Sequence, residues 1–245
     1  MTVIVNGETL ALDPAGAAYC PAESTLVLAD LHFEKGSSFA RRGNMLPPYD
    51  TKETLARIAA LVARYAPARV ISLGDSFHDP EGPARLDAAS RAHLTHLIDA
   101  CEWIWIEGNH DASSPSVLGG RVYSEIAIGG LLFRHEPQAG RHTGEIAGHL
   151  HPCTSVSRRG RTLRRRCFLT DGTRMVMPSF GAYTGGLDMR DEAFAPLFAD
   201  SFLAYALGTS RVYAVAARGG LQVLRRKITE DSQPSIIAIA TADNP

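Results

Sequence analysis

Thiols and long apolar runs are what this sequence has least of. Its four cysteines, Cys20, Cys101, Cys153 and Cys167, form no CxxC pair. That spacing argues against a disulfide framework and against a thiolate metal site. No apolar run approaches the ~20 residues that a membrane helix needs, so no membrane partner is expected. Residues 1–20 lack a basic start followed by an apolar core, so no secretory leader is expected and a cytoplasmic location is the default. Repeats, low-complexity tracts and domain linkers are also missing. With 245 residues, 45% of them apolar, the chain can build one compact domain with a large core.

Basic residues are unevenly distributed. None occurs in residues 1–33, whereas residues 121–174 hold ten arginines against four acids. That block carries +6, and because the whole chain sums to −1 the remainder carries −7. A basic block in a nearly neutral chain suggests a surface that faces a polyanion.

Period and punctuation predict the elements. Residues 2–6 and 8–12 alternate about Asn6-Gly7, an edge hairpin. The apolar run Thr25–Ala29 predicts a buried strand ending at Asp30. Asp50 is expected to cap a helix carrying Leu55, Ile58, Leu61, Val62 and Tyr65 and stopped by Pro67. Strand Val70–Leu73, a helix over roughly 83–100 and strand 103–107 follow. This β-α-β-α-β alternation predicts parallel strands with ligands at their carboxyl ends. From residue 121 the texture is β. Val122–Ile128 and Leu131–His135 flank Gly129-Gly130, Glu145–Gly148 follows, and 154–158, 162–170 and 173–177 read as a meander. Residues 191–207 read as helical and Arg211–Ala216 as a last strand. The expected division is one domain over 1–225 and a tail of unknown role over 226–245.

Five clusters stand at predicted strand ends: Asp30-Leu31-His32, Gly74-Asp75, Gly108-Asn109-His110-Asp111, Arg134-His135 and Gly148-His149-Leu150-His151. Asp30/His32 and His149/His151 are i, i+2 pairs, a spacing that puts both side chains on one face of an extended backbone. Two such pairs can converge on one metal or bridge two. Carboxylate and amide oxygen with imidazole nitrogen suit Mn²⁺, Fe²⁺ or Zn²⁺ better than Ca²⁺ or Mg²⁺. Any one of these residues alone reads more simply as a turn residue. Together, in this order, they do not.

That order resembles the calcineurin-like metallophosphoesterase superfamily over about residues 25–152. The resemblance implies a four-layer α/β/β/α sandwich, a single domain. It implies that Asp30, His32 and His151 hold one metal, that Asn109, His135 and His149 hold the other, and that Asp75 bridges them. Such a pair of ions would clamp a phosphate and activate water for in-line attack. His110 is not needed as a ligand, and the resemblance makes it the acid that helps the leaving group depart.

In the superfamily's protein phosphatases the second motif reads Gly-Asp-x-x-Asp-Arg-Gly, where the later Asp orients the acid histidine. Here Gly74-Asp75-Ser76-Phe77-His78-Asp79 places His78 there and is similar to the repair-nuclease branch. Phe77 could equally be core, and His78 a cap before Pro80. Longer stretches resemble the DNA-ligase-associated phosphoesterases over about residues 20–215. They are Leu28–Gly36, Arg41-Arg42-Gly43, Leu46–Asp50, Phe133–Pro137, Gly144–Pro152 and Pro178–Gly186. This likeness implies a Mn²⁺-preferring DNA endonuclease or phosphodiesterase for single-stranded or structured DNA in repair. Its functional companions would be an ATP-dependent DNA ligase, an Lhr-type helicase and an exonuclease.

Arg158, Arg159, Arg161, Arg164, Arg165 and Arg166 follow the paired histidines. On a strand, Arg158, Arg164 and Arg166 could contribute to a phosphate track, or the run could be a solvated hairpin. Tyr183, between Gly181 and Gly185-Gly186, could stack a base at the rim of the cleft or pack within its loop. Two rivals stand beside the nuclease reading: a small-molecule phosphodiesterase or nucleotide phosphatase, and an idle metal-binding scaffold for a ligase or helicase. An arginine-rich surface without a cap insertion favours a polymer over the first, and His110 argues against the second.

Overall fold

A computed structural model describes residues 1–110, 115–158, 161–198 and 201–216. The boundary expected at 225, the tail, Asp111 and Arg159 lie outside the described residues. The elements run β1 (Thr2–Val5), β2 (Glu8–Leu12), β3 (Ala18–Cys20), β4 (Thr25–Ala29), α1 (Lys35–Arg41), α2 (Asp50–Tyr65), β5 (Arg69–Leu73), α3 (Gly82–Arg85), α4 (Ala88–Asp99) and β6 (Glu102–Ile106). Then come β7 (Arg121–Tyr123), β8 (Glu125–Ile128), β9 (Leu131–Arg134), β10 (Glu145–Ala147), β11 (Cys153–Arg158), β12 (Arg161–Thr170), β13 (Met175–Val176), β14 (Leu203–Leu207) and β15 (Val212–Ala216). Among the described residues no helix is long and apolar enough to cross a membrane. All four thiols are free.

The strands form two sheets, ordered β1-β2-β3-β4-β5-β6-β7 and β15-β14-β12-β13-β10-β9-β8, with β11 paired to β12. As the alternation predicts, β4, β5, β6 and β7 run parallel, with Ala29 beside Leu73 and Leu73 beside Ile106. Their apolar runs are continuous because both faces are covered. Val27, Ala29, Ile71, Leu73, Ile104 and Ile106 join Phe133, Ile146, Phe168 and Met175 of the second sheet in the core between the sheets. Leu26, Leu28, Val70, Trp103 and Trp105 face Leu55, Ile58, Leu94 and Leu97 of the helices. Leu169, Val176 and Ala204 on the far side of the second sheet are closed over by Phe194, Leu197 and Phe198. The layered sandwich expected from the sequence is therefore present as a single domain. Among the described residues its last layer is an irregular segment with one 3₁₀ turn, Glu192–Phe194.

Four local expectations are corrected. Residues 191–207 are not one helix but that turn and β14. Pro196 has no N–H to continue a helical ladder, and the fully buried run Leu203–Leu207 is apolar without a period that would identify it. Val122–Ile128 is two strands, because the chain leaves the first sheet after Tyr123 and enters the second at Glu125. The helix expected over 83–100 breaks at Leu86, where ψ is 128°, and restarts with Asp87 capping the Ser90 N–H at 2.7 Å. Asp50 caps nothing on its own helix; its carboxylate accepts from the Gly36 N–H at 3.0 Å and ties α1 to α2.

Candidate metal centre

The five ligand-bearing clusters follow β4, β5, β6, β9 and β10, at the carboxyl ends of parallel neighbours in the two stacked sheets. The chain does not present the side chains from extended backbone, as the i, i+2 argument supposed. Asp30 and His32 have φ of 53° and 44°, His149 and His151 of 67° and 46°, and Asp75 of 42°. All five lie in the left-handed region, where a non-glycine residue costs of order 1–3 kcal/mol and persists only when its surroundings over-determine it. The surroundings do so here. His32 N–H donates to the Asp75 carbonyl at 2.9 Å, Gly148 N–H to the His135 carbonyl at 2.9 Å, and Phe180 N–H to the Ala29 carbonyl at 2.7 Å. Gly74 sits so close to the His135 ring that an added Cβ would lie 2.3 Å from Nδ1.

Two groups of donors result, Asp30/His32/His151 and Asp75/His135/His149, each with ligand atoms within 4.8 Å of one another. In the first, His32 Nε2 and His151 Nε2 are 3.4 Å apart and Asp30 Oδ1 is 3.2 Å from His151 Nε2. A proton shared by the two rings would satisfy one nitrogen, whereas a cation among the three would satisfy every lone pair at once. His32 Nδ1 is buried without a partner. In the second, His135 Nδ1 lies 3.1 Å from the Leu73 carbonyl. A carbonyl only accepts, so Nδ1 donates a proton to it, which leaves Nε2 as the nitrogen whose lone pair can ligate. That lone pair faces Asp75 Oδ1 at 3.5 Å and His149 Nδ1 at 3.2 Å. A divalent cation among Asp75, His135 and His149 would draw on one ligand atom of each.

Charge state agrees with geometry. Burial, reinforced by His151 and Lys35, pushes His32 down to about 2. Burial, then His135, also lowers His149. Both are neutral at pH 7, the form in which imidazole ligates.

Asp75 stands between the groups. Its Oδ1 faces His135 and accepts the His110 backbone N–H at 3.0 Å, while its Oδ2 is 3.9 Å from His32 Nε2 and 3.8 Å from His110 Nε2. The Asp30 carboxylate, fully buried, accepts the His149 N–H at 3.1–3.2 Å. His110 is 52% exposed, so its ring opens to solvent above the buried ligands. It stacks on His78 with centroids 5.8 Å apart and planes 12° apart. Asp79, beside His78 in the chain, is engaged by Arg85 at 2.7 and 2.8 Å. Asn109, next to His110 in the chain, is exposed.

The arginine run is partly explained by the loop 178–186. Arg164 and Arg166 share a face, as a strand requires, and that face meets the loop. Arg166 donates to the carbonyls of Ser179, Phe180 and Gly181 at 2.8–3.3 Å, and Arg164 donates to that of Gly186. The Arg166 guanidinium thus holds the loop, not an open phosphate track. Arg164 and Arg165 remain exposed, and the side chain of Arg158 lies outside the described residues. Tyr183 is exposed, with φ of 60°.

Lys35, which the sequence reading did not single out, lies near the centre through Phe39 and His78. It is half-buried at the start of α1, with Nζ 5.9 Å from the Phe39 ring centroid, and Phe39 lies 5.5 Å from His78. A lysine three residues after a candidate ligand was the available signal.

No protein-family model and no curated protein matches the chain. Among solved structures, the Pseudomonas putida nuclease MPE is similar at 30% identity, covering 86% of this chain and 98% of that one with a TM-score of 0.67. The Escherichia coli phosphoesterase YfcE is 14% identical, covering 77% and 95%, with a TM-score of 0.41. On the layered fold, the two donor groups and the extent of the match to the nuclease, this chain belongs to the metallophosphoesterase family.

Proposed function

We propose that this protein is a dinuclear-metal phosphodiesterase that cuts DNA internally, on single-stranded or structured substrates, in repair. The observation that carries the reading is the pair of donor groups facing each other across Asp75 beneath an exposed histidine. Asp30, His32 and His151 would hold one ion and His135, His149 and Asn109 the other, with Asp75 shared. Mn²⁺ fits this oxygen and nitrogen set, as do Fe²⁺ and Zn²⁺. Bound there, two such ions supply Lewis acidity and a water acidic enough to attack at neutral pH. The chain's own residues do the rest. The Asp75 carboxylate fixes the His110 backbone, His78 fixes the plane of its ring, and the exposed imidazole can then give a proton to the departing oxygen. The open setting of His110 favours a polymeric substrate, and the similar Pseudomonas putida protein is a nuclease, which supports DNA. A cytoplasmic location and functional association with a DNA ligase, an Lhr-type helicase and an exonuclease belong to the same reading.

Circular single-stranded DNA tests it, because a circle offers no ends. With Mn²⁺ the wild type should linearise the circle, and EDTA or Asp75→Ala should abolish cutting. An intact circle under conditions where a nitrophenyl diester is hydrolysed would overturn the DNA assignment in favour of a small diester.

A further inference from the structure

We infer that Lys35 and Arg42 form a second phosphate-binding site beside the metal centre, which takes the phosphodiester of a neighbouring nucleotide and so selects polynucleotides over small diesters. The inference rests on the polynucleotide reading above and adds the residues that would recognise the polymer.

Among the described residues Lys35 has no ion pair, and the Asp50 charge favours its ammonium by less than burial disfavours it. Its neighbour Glu34 is taken, because the Glu34 carboxylate accepts from Ser37 Oγ at 2.7 Å and Thr51 Oγ1 at 2.9 Å. Asp50 is spent on the Gly36 N–H. Among the described residues no carboxylate lies within ion-pair distance of Lys35. Half-burying an ammonium without a counter-ion costs free energy, and burial lowers the Lys35 pKa accordingly. A cation held there, with its burial only partly offset by the charge of Asp50, is matched to an anion from outside. Its surroundings lead to the metal centre. Nζ lies over Phe39, Phe39 packs on His78, and the His78 ring is 5.7 Å from that of His32 and 5.8 Å from that of His110.

Arg42 follows α1 on the same side. With Ser38, Arg41, Asp79 and Glu81 it lines a groove of about 350 Å³ adjoining His78. The groove's carboxylates are engaged, Asp79 by Arg85 and Glu81 by Arg41, which leaves the exposed Arg42 facing the opening. In this reading a strand whose reacting phosphate lies over the donor groups continues past His78 toward Lys35 and Arg42.

The test compares Lys35→Met, Lys35→Arg, Lys35→Met with Arg42→Ser, and the surface control Lys52→Met, whose charge pairs with Asp87. Metal-loaded proteins are assayed on single-stranded DNA and on a nitrophenyl diester, and binding of a labelled oligodeoxynucleotide is followed by anisotropy in chelator across a salt series. Lys35→Met should raise KM on DNA roughly 10-fold or more, as expected for a lost charge-assisted contact. It should leave kcat and the nitrophenyl rate nearly unchanged. The slope of log K against log salt should flatten by ~0.7, and by ~1.4 in the double variant. Lys35→Arg should restore both, and Lys52→Met should change neither. Equal losses on both substrates would put Lys35 on the reacting phosphate or in the scaffold, and an unchanged salt slope would remove it from binding; either overturns the second site alone. A wild type that neither binds nor cuts DNA overturns this inference and the nuclease reading together.

Discussion

Gly185 and Gly186 are neighbours that should respond in opposite ways to one added methyl group. A Cβ on Gly186 would lie 1.9 Å from the His151 carbonyl oxygen and 2.8 Å from Cys153 Sγ. The nearest comfortable approach of carbon to a carbonyl oxygen is about 3.3 Å, so one backbone must retreat by roughly 1.4 Å. Neither can move freely. The Gly186 carbonyl is held by Arg164, and Cys153 next to the His151 turn is bonded to Leu187 at 2.7 Å. Overpacking of this kind costs ~1–3 kcal/mol, which for a chain of this size lowers Tm by about 2–12 °C. Because the displaced residue carries a candidate ligand, turnover should fall by ~10²-fold, the usual effect of an ångström's misplacement. Gly185 has nothing within 4 Å and no left-handed φ, so Gly185→Ala should be neutral or stabilising by ~0.4–1 kcal/mol through the unfolded chain. Calorimetry, metal content and nitrophenyl-diester turnover on the two variants decide the matter. Should Gly186→Ala melt and turn over like the wild type, the 178–186 loop does not seat against His151.

Three further expectations concern groups with distinct physics. If His110 protonates the leaving oxygen, His110→Ala should slow DNA cleavage by ~10²–10⁴-fold with metal content unchanged; a nitrophenyl ester, which needs no proton, should suffer much less, and equal losses would refute the acid role. Glu145, 1% exposed, pairs with both Arg134 and Arg174 and accepts the Gln138 N–H at 3.1 Å. Glu145→Ala should therefore cost ~3–5 kcal/mol in denaturant unfolding, and a loss below about 1 kcal/mol would show the network to be idle. In chelator, thermal stability should decline as pH falls from 7 to 5. His32 stays neutral when folded down to about 2, while the unfolded chain binds a proton below its ordinary value near 6.5. The unfolded state thus holds more protons throughout that window, so stability is present above it and is lost on acidification at up to ~1.4 kcal/mol per pH unit. His149 shifts in the same sense. A melting temperature independent of pH over this range would refute it.

The sequence by itself determined the identity and order of the donors and the strands that carry them. Thr25–Ala29, Val70–Leu73 and the run from Trp103 are continuous apolar segments because parallel strands are buried on both faces, a constraint that acts residue by residue and is visible in one dimension. The donors stand out for a related reason: Asp, Asn and His at the ends of such strands have no packing role there.

Only the tertiary structure decided how the donors converge. Left-handed turns at Asp30, His32, Asp75, His149 and His151 aim the side chains, and although Asp and His enter that region more readily than most residues, local preference alone does not select it. It is imposed by bonds between loops far apart in sequence, such as His32 to Asp75 and Phe180 to Ala29. The same holds for the exchange of sheets after Tyr123, since an alternating pattern specifies a strand but not its partner. It holds for Arg166 as well, whose charge suggested a ligand outside the protein until three loop carbonyls claimed it. A side chain's partner is a property of the whole packed chain. The spacing of residues along it fixes only which partners can be offered.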